Sequence, residues 1–120
     1  MGYRSSVTAI IYSTKLGDHD EAYDKLKLLM NTTFKDVYDY WQDPHFTWHD
    51  KRHILKFSVD DVKWYDTYPE VERFMAFLNE VHELGYEYEF VRIGENYEDI
   101  ETNSTGDAQS LLSVVREVAF

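Results

Sequence analysis

The densest run of groups able to do chemistry is YEYEFVRIGENYEDIE, residues 86–101. In it Glu87, Glu89, Glu95, Glu98, Asp99 and Glu101 are acidic and Arg92 is the one basic residue. Carboxylates this close can hold a hard cation if their oxygens converge. A pair of them can also serve in glycoside hydrolysis. Neither pattern is complete. Gly94 precedes the acids instead of sitting among them as an EF-hand requires, and no Lys or His adjoins Glu95–Glu101 as a nuclease-like metal site would want. Nothing in so short a chain suggests a sugar cleft. The second set is His45, His49 and His53, spaced four apart. On a helix they would share one face, the arrangement of metal-binding histidine pairs. Pro44, the run Phe46-Thr47-Trp48 and the charged Asp50-Lys51-Arg52 argue for a hairpin instead. Along a strand, residues four apart lie about 13 Å apart. A hairpin would bring only His49 and His53 face to face, with no third clear ligand. No catalytic residue, metal ligand or cofactor site is therefore expected. There is no Cys, so disulfide and thiolate chemistry are excluded. No G-x-S-x-G, P-loop or G-x-G-x-x-G motif is present, and five glycines leave no phosphate-cradling loop.

Charge says more about partners than about reactions. The net charge is −11, and it is uneven. Residues 1–60 hold eight Lys/Arg against nine Asp/Glu, a net of −1, whereas residues 61–120 hold four against fourteen, a net of −10. Direct nucleic-acid binding is disfavoured, because phosphate contacts need a basic surface. A basic protein partner is favoured, such as a protein that itself binds nucleic acid. The bland account is a solvated acidic face that keeps a small protein soluble. No apolar run approaches the ~18 residues of a membrane span. The opening MGYRSSVTAIIYSTKLGD carries no cleavage pattern and reads as a strand. The lack of Cys fits a reducing, cytoplasmic compartment.

The elements that must position these groups follow from periodicity. At 120 residues, 17% of them aromatic, the chain is expected to form a single domain over 1–120 with a real core. Val7–Ser13 is a β-branched strand ending at a Lys15-Leu16-Gly17 turn. Asp18-x-x-Glu21 reads as a capping box opening a helix over roughly 19–34, with apolar spacing that runs on to Tyr40 and Trp41 until Pro44 closes it. The segments 45–49 and 53–59 form a hairpin, with Leu55, Phe57 and Val59 on its inner face. Thr67-x-x-Glu70 reads as a second capping box, with Pro69 in the first turn and Gly85 as the left-handed stop of a helix over about 68–84. Tyr86–Ile93 alternates as a strand, with Tyr86, Tyr88 and Phe90 inward and Glu87 and Glu89 wet. Asp99–Thr105 reads as a short strand. The segment 111–120 suits strand or helix, and its β-branched content favours a strand. The expected fold class is α+β: a ferredoxin-like β-α-β-β-α-β antiparallel sheet with two helices on one face and a C-terminal strand extension. That fold hosts many unrelated functions.

Trp41, Trp48, Trp64, Tyr65, Tyr38 and Tyr40 exceed what a small two-helix core needs. Core packing explains most such aromatics; homodimerisation or partner contact is the other explanation.

The opening Met1-Gly2-Tyr3-Arg4-Ser5 has a strand directly behind it. Phe90-Val91-Arg92-Ile93-Gly94-Glu95-Asn96-Tyr97-Glu98-Asp99-Ile100-Glu101 is followed by a closing Leu112, Val114, Arg116 segment. Together these resemble small uncharacterised proteins encoded by tailed bacteriophages and prophages. The resemblance covers the two ends of the chain. It implies a cytoplasmic accessory protein made inside an infected bacterium, acting by binding a host protein, and it carries over no catalytic residue to this chain. The expected function is thus non-enzymatic protein–protein contact with a basic host surface. The contact residues are Glu87, Glu89, Glu95, Glu98, Asp99 and Glu101, carboxylates standing in for phosphates, and Arg92 pairs locally with one of them. The competing readings are a small metal-dependent hydrolase using the 95–101 carboxylates with His49 or His53, and a structural or assembly subunit of a virion.

Overall fold

The chain folds around its first strand. In the computed structural model, which describes residues 3–13, 19–41, 45–96 and 98–105, β1 (Ser5–Tyr12) is the middle of a five-stranded sheet. The other elements are α1 (His19–Met30), α2 (Lys35–Trp41), β2 (Phe46–His49), β3 (Ile54–Val62), α3 (Pro69–Glu83), β4 (Glu87–Gly94) and β5 (Ile100–Ser104). The strand order is β2-β3-β1-β4-β5, and every neighbouring pair is antiparallel. This is a mixed α+β fold, an antiparallel sheet carrying helices. The expected hairpin forms as β2–β3, with Trp48 opposite Leu55 and His49 opposite Ile54. The expected short strand forms as β5. The segment 111–120 and the Asp18 half of the first capping box lie outside the described residues.

One face of the sheet packs on the helices. Val7, Ala9 and Ile11 of β1, Leu55, Phe57 and Val59 of β3, and Tyr88 and Phe90 of β4 join Leu26, Met30, Phe34, Val37, Phe74 and Phe77 in one buried cluster. Phe57 is its hub, with ring centroids 4.3 Å from Phe74, 5.0 Å from Phe46 and 5.2 Å from Trp41. These separations suit edge-to-face and tilted pairs, each worth about 0.5–1.5 kcal/mol beyond area burial.

The helix expected over 19–34 ends at Met30, and the apolar spacing that runs on to Tyr40 and Trp41 belongs to a second helix. Its apolar spacing is helical throughout, but Asn31, Thr32 and Thr33 interrupt it. The Thr32 hydroxyl donates to Leu28 O and the Asn31 amide to Lys27 O. Such side chains offer the backbone an alternative to the next helical turn. Phe34, fully buried, pins the corner, and α2 departs in a new direction over seven residues.

At α3 the Pro69 start and the Gly85 stop are where the sequence puts them. Gly85 has φ 103°. Its N–H bonds His82 O, and Tyr86 N–H bonds Val81 O, the two closing bonds of a Schellman motif. The Thr67 capping box does not form: Tyr68 holds the cap position in extended backbone with no side-chain cap bond. A pyrrolidine at the first helical position fixes φ without one.

The larger correction concerns the far face of the sheet. Tyr86, Tyr88 and Phe90 are buried as expected, but Glu87 and Glu89, expected to be wet, are 2% and 1% exposed. Ile10, Tyr12 and Ile54 on that same face are buried too. Alternation of side-chain types reports polarity, not what lies over each side chain, so an acidic row reads as solvent-facing whether or not it is.

Candidate functional site

The six carboxylates of residues 86–101 do not form one surface. Glu87 and Glu89 are out of solvent, which removes them from the accessible contact set. Arg92 pairs locally, as expected, and with two of the acids. It grips Asp99 through both Nη atoms at 3.0 and 3.2 Å and donates from Nε to Glu101 at 2.9 Å. The Tyr3 hydroxyl donates to Asp99 as well. These bonds, the Arg92 fork first and Tyr3 second, hold the Asp99 carboxyl below its ordinary range. Glu95 accepts from the Arg4 backbone N–H at 2.9 Å. Glu98 is exposed. The acidic turn thus clamps the β4–β5 hairpin to the start of β1.

The histidines do separate jobs. His45 Nδ1 lies 3.1 Å from Ser58 O. The His53 ring stacks on Tyr23 at 5.1 Å. His49 faces Ile54, and its Nε2 is buried without a hydrogen-bond partner among the described residues. Burial, then Lys56 and Arg52, pull the His49 pKa below its ordinary value. The 50–53 turn adjoins the Tyr12 end of β1, whereas the 95–99 turn adjoins its Ser5 end. An eight-residue strand separates these ends by roughly 25 Å. His49 and His53 are therefore not brought together with the 95–101 acids. Among the described residues no three His, Asp or Glu side chains gather where they could hold a metal ion.

The aromatic surplus resolves unevenly. Trp64 is core, and Trp48 and Tyr38 pack against it, joined by a bond from Trp48 Nε1 to the Tyr38 hydroxyl. Tyr65 meets Tyr68 edge to face and accepts from Tyr3 N–H. Tyr40 is the exception, 60% exposed. Its ring stands perpendicular to that of Trp41, centroids 4.9 Å apart. The two border a cavity of about 320 Å³ between α2 and α3, completed by Val37, Phe74, Pro69, Asp36, Glu70 and Arg73.

Each wall has a local cause. The break at residues 31–34 turns α2 across the start of α3. The 3.6-residue period then puts Val37 and Trp41 on the side facing Phe74, and Asp36 and Tyr40 on the rim. Pro69 supplies an apolar corner where a helix would ordinarily present N–H groups. Arg73 ties the two helices: Nε and Nη2 meet the two Asp36 oxygens at 2.6 and 3.2 Å, and Nη1 meets Glu80 at 2.7 Å. Asp36 is held below its ordinary pKa, chiefly by that fork. The Tyr40 hydroxyl is pushed up by desolvation first and by its Glu70 neighbour second.

The result is a cavity with a hydrocarbon and aromatic floor inside an anionic margin. α2 and α3 carry six carboxylates and two Lys/Arg residues. Both cations are already engaged, Arg73 as above and Lys35 with Asp39 at 3.0 Å. The sequence marks Tyr40 and Trp41 as surplus but not the cavity, because reading their apolar spacing as the run-on of a helix over 19–34 places no groove there. The signal that could have found it is Asn31-Thr32-Thr33, three poor helix formers in a row ahead of a second apolar period. No helix among the described residues is long and apolar enough to cross a membrane. Compared with known proteins, the chain matches no family model, no curated sequence and no solved structure.

Proposed function

We propose that this chain is a non-enzymatic protein-contact domain whose partner presents a basic surface, and that contact centres on the α2–α3 cavity rather than on the 86–101 strand. One observation carries this reading: an exposed tyrosine and a half-buried tryptophan border an apolar cavity whose margin is anionic and whose cations are already spoken for. Aromatic anchors in a desolvated pocket with a polar rim are the usual anatomy of a binding centre. The net −10 of residues 61–120 supplies the long-range attraction that speeds encounter with a basic protein. Glu95 and Glu98, both exposed, extend that field, while Asp99 and Glu101 spend theirs on Arg92. The resemblance of the chain ends to phage proteins makes the proposed partner a bacterial host protein, with one that itself binds nucleic acid fitting the charge best.

We also infer a ferredoxin-like arrangement. Support comes from β1 and β3 at the centre, β2 and β4 outside them, and helical crossovers between β1 and β2 and between β3 and β4. In this description β5 is an added strand on the β4 edge.

The functional test is affinity capture from bacterial lysate by the wild type and by Glu70→Lys, at low salt and at 1 M salt, where the Debye length is about 3 Å. A specific protein captured at low salt, and lost both with added salt and with Glu70→Lys, is the expected result. Capture that ignores both changes would sink the reading.

A further inference from the structure

Resting on the protein-contact reading, we propose that the α2–α3 cavity seats one large apolar side chain, aromatic by preference, from a short cationic segment of the partner. The apolar body goes in and the cations stay at the mouth, and this order follows from which groups are already used. Val37 and Phe74 are buried and Trp41 is half-buried, so the floor offers only carbon and ring faces. A guanidinium or ammonium pushed down to it would lose its water. The carboxylates that line the cavity offer little to repay that loss, since Asp36 holds the Arg73 fork and Glu70 stays on the rim beside Tyr40. An apolar side chain loses nothing there and gains contact with three rings.

The margin selects what flanks that side chain. Asp36 and Glu70 line the cavity against one engaged cation, Arg73, on helices that carry six carboxylates to two Lys/Arg in all, and this balance repels an acidic segment and attracts a basic one. The reach of the site sets its length. α2 has seven residues, so the groove runs about 10 Å, two turns of helix or three extended residues. The Tyr40 ring at the edge of the cavity is stiff, with two torsions, and can close over a seated side chain at small entropic cost.

The test titrates the full chain, labelled for amide NMR, with three blocked peptides: Lys-Gly-Phe-Gly-Lys, the same with Ala for Phe, and the same with Glu for both Lys. The first should move the amides of Tyr40, Trp41 and Arg73 in a saturable way. Each of the other two should bind about tenfold or more weakly. Tyr40→Ala, an exposed position, should weaken the first peptide by a similar factor, and Tyr40→Phe should keep its affinity. Equal binding of the Ala peptide overturns the anchor, and equal binding of the Glu peptide overturns the cationic flank. Shifts that appear on raising the protein concentration alone make the occupant a second copy of this chain and overturn the proposal. Saturation by tryptamine where no peptide binds makes the site one for a free organic cation and overturns it too. If a lysate partner is captured but no peptide touches the cavity, this inference fails while the contact reading stands.

Discussion

Replacing Asp36 by alanine removes both oxygens that the Arg73 guanidinium grips across the α2–α3 seam. The cost can be worked from the geometry. α2 is a seven-residue helix, shorter than the 12–15 residues at which an isolated helix is even marginal, so its packing must hold it. Val37 and Trp41 supply the apolar part and the Arg73–Asp36 fork the polar part. A bidentate charge-assisted pair is worth about 1.5–3 kcal/mol where water is excluded. Here the Asp36 side chain is 56% exposed and the Arg73 side chain 33%, and exposed pairs contribute about 0.2–1 kcal/mol. The short fork places this pair at the upper end of that exposed range, so a coupling of about 1 kcal/mol is expected. A double-mutant cycle of Asp36→Ala and Arg73→Ala by urea denaturation measures it directly. Hydrogen exchange at Val37 and Tyr38 N–H, both bonded to Phe34 O, should accelerate in the single variant more than exchange in β1 does. The sign with pH is fixed. Asp36 has a folded pKa below its ordinary 3.8, so the contribution is fully present above 3.8 and is lost as pH falls through the folded value. A coupling below about 0.3 kcal/mol, or one unchanged in 1 M salt, would refute the view that this fork holds α2 in place.

Three further outcomes are expected. Glu87→Lys with Glu89→Lys should destabilise by about 2 kcal/mol or more in urea, because both positions are buried and the longer cationic side chains must be desolvated there; a change under about 0.5 kcal/mol would return that row to the solvent. Gly85→Ala should cost about 1–2 kcal/mol, since φ 103° is a conformation L side chains avoid, and an unshifted thermal midpoint would remove the strain argument. His49, with a folded pKa below its ordinary 6.5, contributes stability that is present above 6.5 and lost as pH falls below it. The urea midpoint should therefore drop between pH 7 and pH 5 and flatten in His49→Gln, and an unchanged pH profile in that variant would assign the drop to another group.

The parts of the fold that were legible in the sequence are those where local pattern and tertiary placement ask for the same thing. Pro69 and Gly85 bracket α3 because ring closure and the missing Cβ act locally. The inner faces of β3 and β4 read correctly because Leu55, Phe57, Phe90 and their neighbours alternate against polar residues. The break after Met30 was illegible for the opposite reason. Its apolar spacing continues, and only the side-chain bonds of Asn31 and Thr32 and the burial of Phe34 decide against a longer helix. Glu87 and Glu89 mislead because a glutamate in an alternating strand is a statement about composition, whereas its burial depends on the rest of the chain. The cavity was half legible. Tyr40 and Trp41 stood out as rings without a visible use, but a groove exists only once α2 and α3 lie side by side, and no spacing within either helix encodes that.

The central place of β1 has a consequence for how the molecule is made. Its partners are late in the chain: Ile11 pairs with Leu55 and Tyr88, and Ser5 pairs with Val62 and Gly94. The β2–β3 and β4–β5 hairpins close over short turns and can form in about 1–10 μs each. The two seams along β1 must wait for loops of roughly fifty and eighty residues to close, and such distant pairing is what slows small β-containing domains. On the ribosome β1 emerges before both of its neighbours, and β4 follows it only after about eighty further residues. For that interval a β-branched strand with the core residues Val7, Ile10 and Ile11 has both edges open. Slow synthesis of the residues between β1 and β4 lengthens that exposure, and cover of the open strand on the nascent chain shortens it, so soluble yield should respond to both.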